Sequence, residues 1–140
     1  MGNCTPISRI MATKILAIDI CESLQSVYDL FQKYTIIDHI PVIEKGILKG
    51  MVNRTMLESL CPSIDKSTTV GKIMSHQFVY LSAENPITNA VEIFRTNIFK
   101  LIPIVNKQQV LVGVVTPKEL TKFNINNKYS LNKSKVPTFY

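Results

Sequence analysis

The chain has 140 residues, 46% of them hydrophobic, and a formal net charge of +6. This length accommodates one ordinary domain, or two small units that share a core, and is too short for two independent domains. No apolar run approaches the roughly 20 residues that a membrane-spanning helix needs, and the N-terminus lacks the pattern of a signal peptide, so the sequence predicts a cytoplasmic protein.

The first predicted elements are a strand, a helix and a hairpin. Ile15 to Ile18 form a short apolar run that suits a strand, and Ser23 stands where it can cap a helix. Apolar residues then recur at helical spacing, namely Leu24, Val27, Tyr28, Phe31 and Tyr34. Two closely spaced apolar runs, Ile40 to Ile43 and Ile47 to Val52, suit the strands of a hairpin.

The same order of elements recurs further along the chain. Phe78 to Leu81 suits a strand, and Asn85 is the predicted cap of a helix with Pro86 in its first turn. The apolar stripe of this helix consists of Ile87, Ala90, Val91, Phe94 and Ile98. Leu101 to Val105 and Val110 to Val115 then form a second predicted hairpin.

An internal repeat explains this recurrence. When the sequence is shifted by 63 residues, several pairs coincide: Ile10-Met11 with Ile73-Met74, Phe31 with Phe94, Gly50 with Gly113, Val52 with Val115 and Leu57 with Leu120. We therefore predict three regions: a first repeat with its lead segment in residues 1–62, a linker and second repeat in 63–123, and a tail in 124–140. The tail is rich in Asn, Lys and Ser and is expected to be mobile and basic.

Each repeat predicts a strand-helix-strand-strand-helix unit of the α+β class. The helical crossover after the first strand suits parallel pairing, whereas the short gaps inside the hairpins require antiparallel pairing. A unit of about 55 residues is marginally stable alone. We therefore expect the two sheets to pack together, with a pseudo-twofold axis relating the repeats.

Two sequence motifs occur once in each copy. The first copy has Ile40-Pro41-Val42 followed by Gly50-Met51-Val52-Asn53-Arg54-Thr55-Met56-Leu57, and the second has Ile102-Pro103-Ile104 followed by Gly113-Val114-Val115-Thr116-Pro117-Lys118-Glu119-Leu120. This ordered set resembles a pair of CBS repeats over residues 7–123. The resemblance implies a regulatory Bateman module that is not an enzyme and requires no cofactor. Similar modules bind AMP, ADP, ATP or S-adenosylmethionine in clefts between the repeats and often form homodimers.

The resemblance, together with helix chemistry, points to a ligand site built around the second repeat. Thr116 ends a strand and caps a helix, where free backbone N–H groups favour a phosphate. Glu119 stands where the family places an Asp that accepts hydrogen bonds from ribose hydroxyls, and Lys100 stands at a frequent phosphate contact. The apolar walls for an adenine are expected from Phe78, Val79, Ile102 and Pro103.

The first repeat lacks this set of side chains. Asn53 can still cap a helix, but Met56 offers no acceptor strong enough to hold a ribose diol. Asp38 stands at the position that corresponds to Lys100. We therefore expect an asymmetric module with at most one good nucleotide site.

Two other interpretations remain open. Thr116 and Glu119 have the spacing of a capping box, which stabilises a helix without binding a ligand. The apolar residues of the expected adenine walls are also suited to ordinary core positions. The alternative function is a ligand-free module for protein interaction or dimerisation, acting on an unidentified effector protein.

Catalysis is not expected. The chain has no P-loop, no G-x-S-x-G elbow and no H-E-x-x-H motif. The three cysteines stand far apart without C-x-x-C spacing, and there are only two histidines, so no metal site is expected. The basic residues of the tail do not form a compact patch, which makes nucleic acid an unlikely partner.

Overall fold

The computed structural model describes residues 5–60, 63–96 and 98–122, so the predicted tail in 124–140 lies outside the described residues. The strands are β1 (Ile18–Asp19), β2 (His39–Glu44), β3 (Ile47–Asn53), β4 (Leu81–Ser82), β5 (Ile102–Val105) and β6 (Leu111–Val115). The helices are α1 (Leu24–Lys33), α2 (Arg54–Leu60), α3 (Ile87–Arg95) and α4 (Pro117–Lys122). Short 3₁₀ turns occupy Ile7–Arg9 and Val70–Lys72.

The strands form two three-stranded sheets with the same topology. In one sheet the order is β1-β2-β3, and in the other it is β4-β5-β6. The first strand of each sheet runs parallel to the second, and the second and third form an antiparallel hairpin. The predicted α+β class and the predicted pairing directions are therefore confirmed.

The first strand of each sheet is shorter than predicted and begins later. Only Ile18 and Asp19 pair with β2, and only Leu81 and Ser82 pair with β5. Leu16 and Val79, which precede these strands, pack against the cores without joining a ladder. An apolar run specifies burial, and it does not specify which of its residues find a hydrogen-bonding partner strand.

The two long helices bury most of their predicted apolar stripes, but Tyr34 and Ile98 lie beyond the helix ends and are exposed. The helices differ at their N-termini. The Ser23 hydroxyl accepts a hydrogen bond from the Ser26 amide at 3.2 Å, as a capping residue does. The predicted Asn85 cap is wrong, because its side chain instead accepts a bond from the Ser82 amide at 2.8 Å. Asn85 thus closes the turn between β4 and α3, and Pro86 becomes the capping residue without a side-chain bond.

The described chain divides into two compact units that do not follow the order of the repeats. The first-repeat unit comprises residues 16–78, and the second-repeat unit comprises residues from 79 onward together with the segment up to Ile15. We call residues 5–15 and residues 63–78, which precede β1 and β4, the lead segments of the first and second repeats. Each lead segment packs in the unit of the other repeat. The predicted division at residue 62 describes repeats of the sequence and stays a prediction, since a repeat boundary in the sequence need not be a boundary in packing.

The exchanged segments are held by equivalent backbone hydrogen bonds. In the second-repeat unit, the Ile7 amide donates to the Asn85 carbonyl at 2.8 Å, and the Ala12 amide donates to the Val114 carbonyl at 2.8 Å. In the first-repeat unit, the Val70 amide donates to the Glu22 carbonyl at 2.7 Å. Each segment adds both main-chain pairing and a buried side chain to the unit that receives it.

The two units have separate hydrophobic cores of matching composition. The first-repeat core is centred on Leu24, Val27, Phe31, Ile40, Val42, Val52, Leu57 and Val70. The second-repeat core is centred on Ile7, Ile87, Ala90, Val91, Phe94, Ile102, Ile104, Val115 and Leu120. Within each unit, the helices bury their apolar side chains in these cores. The ends of the hairpin can therefore position residues that the core does not need.

Two repeat-equivalent glycines allow a methionine to approach the sheet. A Cβ atom added at Gly50 would lie 2.5 Å from Met74 Sδ and 2.9 Å from the Ser75 carbonyl oxygen. At Gly113 the corresponding distance to Met11 Sδ is 2.6 Å. The Ile-Met pair that repeats in the sequence therefore marks the place where each lead segment packs on a glycine of a hairpin strand.

We expect Gly50→Ala to destabilise the protein by about 1 to 3 kcal/mol, because the new methyl group meets a backbone oxygen that cannot rotate away. Urea denaturation measures this change. Lys49→Ala, at an exposed position in the same strand, is the matched control. Equal stability of the two variants would show that the lead segment is not tightly packed on Gly50.

Candidate functional site

The candidate site lies where the second hairpin meets α4. Strand β6 ends at Val115, and Thr116 leads directly into the helix. Ile102 pairs with Val115 across the hairpin, so Lys100 and Leu101, which precede β5, lie at the same end of the hairpin as Thr116. We call Lys100, Thr116, Pro117 and Glu119 the second corner.

Thr116 and Glu119 form a capping box at this corner. One carboxylate oxygen of Glu119, Oε1, accepts hydrogen bonds from the Thr116 amide at 2.8 Å and from the Thr116 hydroxyl at 2.6 Å. The Lys118 amide donates to the Thr116 hydroxyl at 3.3 Å. The amides of Thr116 and Lys118, at the start of the helix, thus have side-chain acceptors, and the capping-box interpretation of the motif is confirmed.

The capping box uses part of the chemistry that a ligand would need. Thr116 is nearly buried, and both its amide and its hydroxyl donate to Glu119. Both bonds use Oε1, and no described residue donates a hydrogen bond to Oε2. A ligand hydroxyl that reached this corner would therefore meet a fixed carboxylate with one oxygen still able to accept.

The apolar residues expected to form an adenine wall fall in different environments. Ile102 is fully buried in the second-repeat core, and Pro103 is buried beside it in β5. Val79 is half-buried and packs against the same core, whereas Phe78 is the last residue of the first-repeat unit. Lys100 is half-buried at the start of the hairpin. The structure thus places Lys100, Thr116 and Glu119 at one end of the second hairpin, and Ile102, a fully buried apolar member of the expected site, serves the core.

The equivalent first corner is formed by Asp38, Asn53, Arg54 and Met56. Asn53 Oδ1 accepts a hydrogen bond from the Met56 amide at 2.7 Å, so Asn53 caps α2 as expected. Asp38 forms an ion pair with Arg54, with 3.3 Å between Asp38 Oδ1 and Arg54 Nε. The two corners share a backbone plan but carry different charges.

Arg54 is absent from the expected site residues, although a signal for it exists in the sequence. His39 pairs with Asn53 in the first hairpin, so Asp38 and Arg54 are the next residues outward and lie opposite each other. Opposite charges that flank a predicted hairpin are expected to meet in this way.

The first-repeat unit also has an open cleft of about 480 Å³ between β1 and α1. It is lined by Leu16, Ala17, Ile18, Asp19, Glu22, Ser26, Asp29, Leu30 and Lys33, none of which belongs to the expected site.

Within residues 5–60, 63–96 and 98–122, no group of three or more His, Cys, Asp or Glu side chains is placed to hold a metal ion. No helix in this part of the chain is long and apolar enough to cross a membrane.

Two small α+β units with exchanged lead segments and matching corners define a tandem-repeat module. The family model of the CBS domain matches the chain twice, at residues 7–59 and 70–126. The chain therefore belongs to the CBS-domain family, and the resemblance of its motifs to paired CBS repeats is confirmed.

Comparison with known proteins supports the same fold along most of the chain. A CBS domain-containing protein of Bacillus subtilis, YhcV, is 26% identical over 120 residues, which are 84% of this chain and 84% of YhcV. The crystal structure of CBSX2 in complex with AMP has a TM-score of 0.72 at 16% identity, covering 88% of this chain and 98% of CBSX2. The CBS domain pair of MJ0100, solved with 5′-methylthioadenosine and S-adenosylmethionine, has a TM-score of 0.68 at 18% identity, covering 85% and 98%.

We expect Glu119→Ala to lower the free energy of unfolding by about 1 kcal/mol, because the Thr116 amide loses its partner in the capping box. Glu119→Gln should retain most of the stability, since a glutamine oxygen can accept the same bond. Glu92→Ala, which changes an exposed acid on α3, is the control in thermal denaturation. Identical losses in Glu119→Ala and Glu119→Gln would assign the effect to charge and not to the cap.

Proposed function

We propose that the chain is a cytosolic, non-catalytic regulatory module that binds an adenine nucleotide or a related adenosyl ligand at the second corner. The observation that carries the proposal is the pairing of Thr116 with Glu119 at the start of α4, at the end of the hairpin where Lys100 lies. Chains with this fold have been solved with AMP and with S-adenosylmethionine, which supports adenosyl chemistry as the ligand class.

The side chains of the second corner suit such a ligand. Lys100 supplies a cation near the hairpin end, where a phosphate or another anionic group would be stabilised. Glu119 Oε2 can accept a hydrogen bond from a ribose hydroxyl while Oε1 keeps the helix capped. Phe78, Val79, Ile102 and Pro103 stay the predicted apolar contacts of the base. In this arrangement a ligand would add to the capping box without breaking it.

The regulatory effect would come from linkage. A ligand that binds one arrangement of the module more tightly than another shifts the population toward the first, by no more than its difference in affinity. A separate effector protein would read this shift, as would a second copy of the chain in a homodimer. No metal or cofactor enters the proposed function.

A second candidate function is a ligand-free interaction module. Glu119 and Thr116 already satisfy each other, so the corner is stable without any ligand. Ile36 and Ile98 stand at equivalent positions after the first helix of each repeat, and their side chains are 62% and 70% exposed. Large exposed aliphatic side chains at equivalent positions favour contact with another protein surface.

Ligand binding can be separated from capping by Glu119→Gln. In a thermal-shift panel of AMP, ADP, ATP and S-adenosylmethionine, with GTP as the non-adenine control, we expect a selective rise in Tm for the parent. A ligand at 100 times its Kd adds about 2.7 kcal/mol to the folded state, which corresponds to several degrees. Each variant is compared with its own ligand-free Tm, so loss of the cap does not enter the result.

Glu119→Gln should keep the ligand-free Tm and lose most of the ligand-induced rise, because a neutral amide is a weaker acceptor for a ribose diol than a carboxylate. Glu92→Ala should keep both values. An unchanged rise in Glu119→Gln would remove Glu119 from the site, and the absence of any rise in the parent would favour the interaction module.

The interaction candidate predicts that Ile36→Ser and Ile98→Ser together weaken self-association. Both replacements remove exposed apolar surface without opening a cavity, so the Tm should change little. Light scattering across a concentration series measures the effect. Tyr80→Ser, at a position 46% exposed, is a control, and an unchanged dimer fraction in the double variant would exclude these isoleucines from the contact.

A further inference from the structure

Arg54 makes an unusually complete set of contacts in the first corner. Its Nη1 donates to the Phe31 carbonyl at 2.9 Å, and its Nη2 lies within hydrogen-bond distance of three more carbonyls, those of Tyr34, Thr35 and Ile37. Nε donates to the Asp38 carboxylate at 3.3 Å. The side chain is only 21% exposed, so the guanidinium is largely removed from water, whereas its contacts with Tyr34 and Thr35 lie at the surface.

The acceptors that surround the guanidinium belong to one continuous segment. Helix α1 ends at Lys33, and the Phe31 carbonyl is one of the last carbonyls that lack a partner within a helix. The remaining carbonyl acceptors lie in the loop that leads from α1 to β2. The negative end of the helix dipole and the Asp38 carboxylate make this segment attractive to a cation.

The shape of the guanidinium suits this segment as well as its charge does. The Arg54 guanidinium carbon lies 4.9 Å from the centre of the Phe31 ring, the distance of a cation–π contact. A planar fork with several N–H donors can reach carbonyls on more than one side while its face rests on a ring. A lysine ammonium is a point charge and cannot reproduce this arrangement.

The second corner has the opposite character at the same positions. Pro117 stands where the first repeat has Arg54, and Lys100 stands where it has Asp38. Proline has no side-chain donor, and the second corner has no carboxylate at the position of Asp38. The same arrangement of strands and helix therefore places a lysine at the second corner and an ion pair between Asp38 and Arg54 at the first corner.

We infer that the first corner is a guanidinium-binding site that the chain fills with its own Arg54, so that this corner is closed to a soluble anionic ligand. The four carbonyls and the Asp38 carboxylate repel a phosphate, and each nitrogen of the guanidinium that offsets them already has an acceptor within the chain. The module then has one corner of its pair open to a nucleotide and one permanently closed.

The closed corner also fixes the shape of the loop after α1. Three of the four carbonyls bonded by Arg54 belong to residues 34, 35 and 37, which flank the exposed Ile36. Arg54 therefore holds the backbone on both sides of an exposed apolar side chain. Removal of the guanidinium is expected to loosen this loop before it affects the rest of the unit.

Chemical rescue of the full-length protein tests the inference. Arg54→Ala should lower the Tm by roughly 5 °C or more, because four backbone carbonyls and the Asp38 carboxylate lose a charged donor. Methylguanidinium chloride at low millimolar concentration should restore part of the loss, since it can refill the site. Methylammonium chloride at the same ionic strength should not, and neither salt should raise the Tm of the parent.

Two further variants make the test decisive. Arg95→Ala removes an exposed arginine whose ion pair with Glu92 is 3.9 Å long, and it should show neither the loss nor the rescue. Arg54→Lys keeps the charge and should still lose stability, and it serves as the test if Arg54→Ala does not fold. The inference is overturned if Arg54→Lys matches the parent, or if both salts restore Arg54→Ala equally.

The rescue experiment contains no nucleotide, so it stands apart from the proposed function. Hydrogen exchange of the amides in residues 34–38 gives an independent measurement on the same variants. We expect faster exchange there in Arg54→Ala and slowing when methylguanidinium is added. Unchanged exchange in this loop would show that Arg54 does not hold it.

Discussion

Each unit depends on an aliphatic side chain that the other repeat's lead segment brings into its core. Ile7 is fully buried in the core of the second-repeat unit, and Val70 is fully buried in that of the first-repeat unit. A repeat of about 55 residues is only marginally stable alone, because it buries a small fraction of its apolar surface. The exchange therefore adds to each unit an apolar side chain that its own repeat does not supply.

The exchange also leaves the end of each hairpin free for other uses. The lead segments pack on Gly50 and Gly113, in the body of the third strand of each sheet. The corners lie at the ends of those strands, where a helix begins. Core stability and corner chemistry are thus carried by different residues, so the two corners can differ in charge while the cores stay alike.

The difference in charge between the two corners follows from two positions at which the repeats differ. Replacing a proline by Arg54 and a lysine by Asp38 converts a cationic corner into an ion pair with a full set of carbonyl acceptors. In the second corner Glu119 serves the helix and keeps one carboxylate oxygen for another partner. Asymmetry between the repeats is therefore built from side chains, on a backbone that is nearly the same in both.

The sequence by itself determined the repeat, the order of elements, the pairing directions and the capping spacing of Thr116 and Glu119. These features depend on local periodicity and on residue types close together in the chain, which can be read without coordinates. Only the tertiary structure decided that Asn85 closes a turn instead of capping α3, since Ser82 competes for its side chain. The tertiary structure alone also decided the exchange of lead segments and the bonding of Arg54 to four backbone carbonyls, because both depend on contacts between residues distant in sequence.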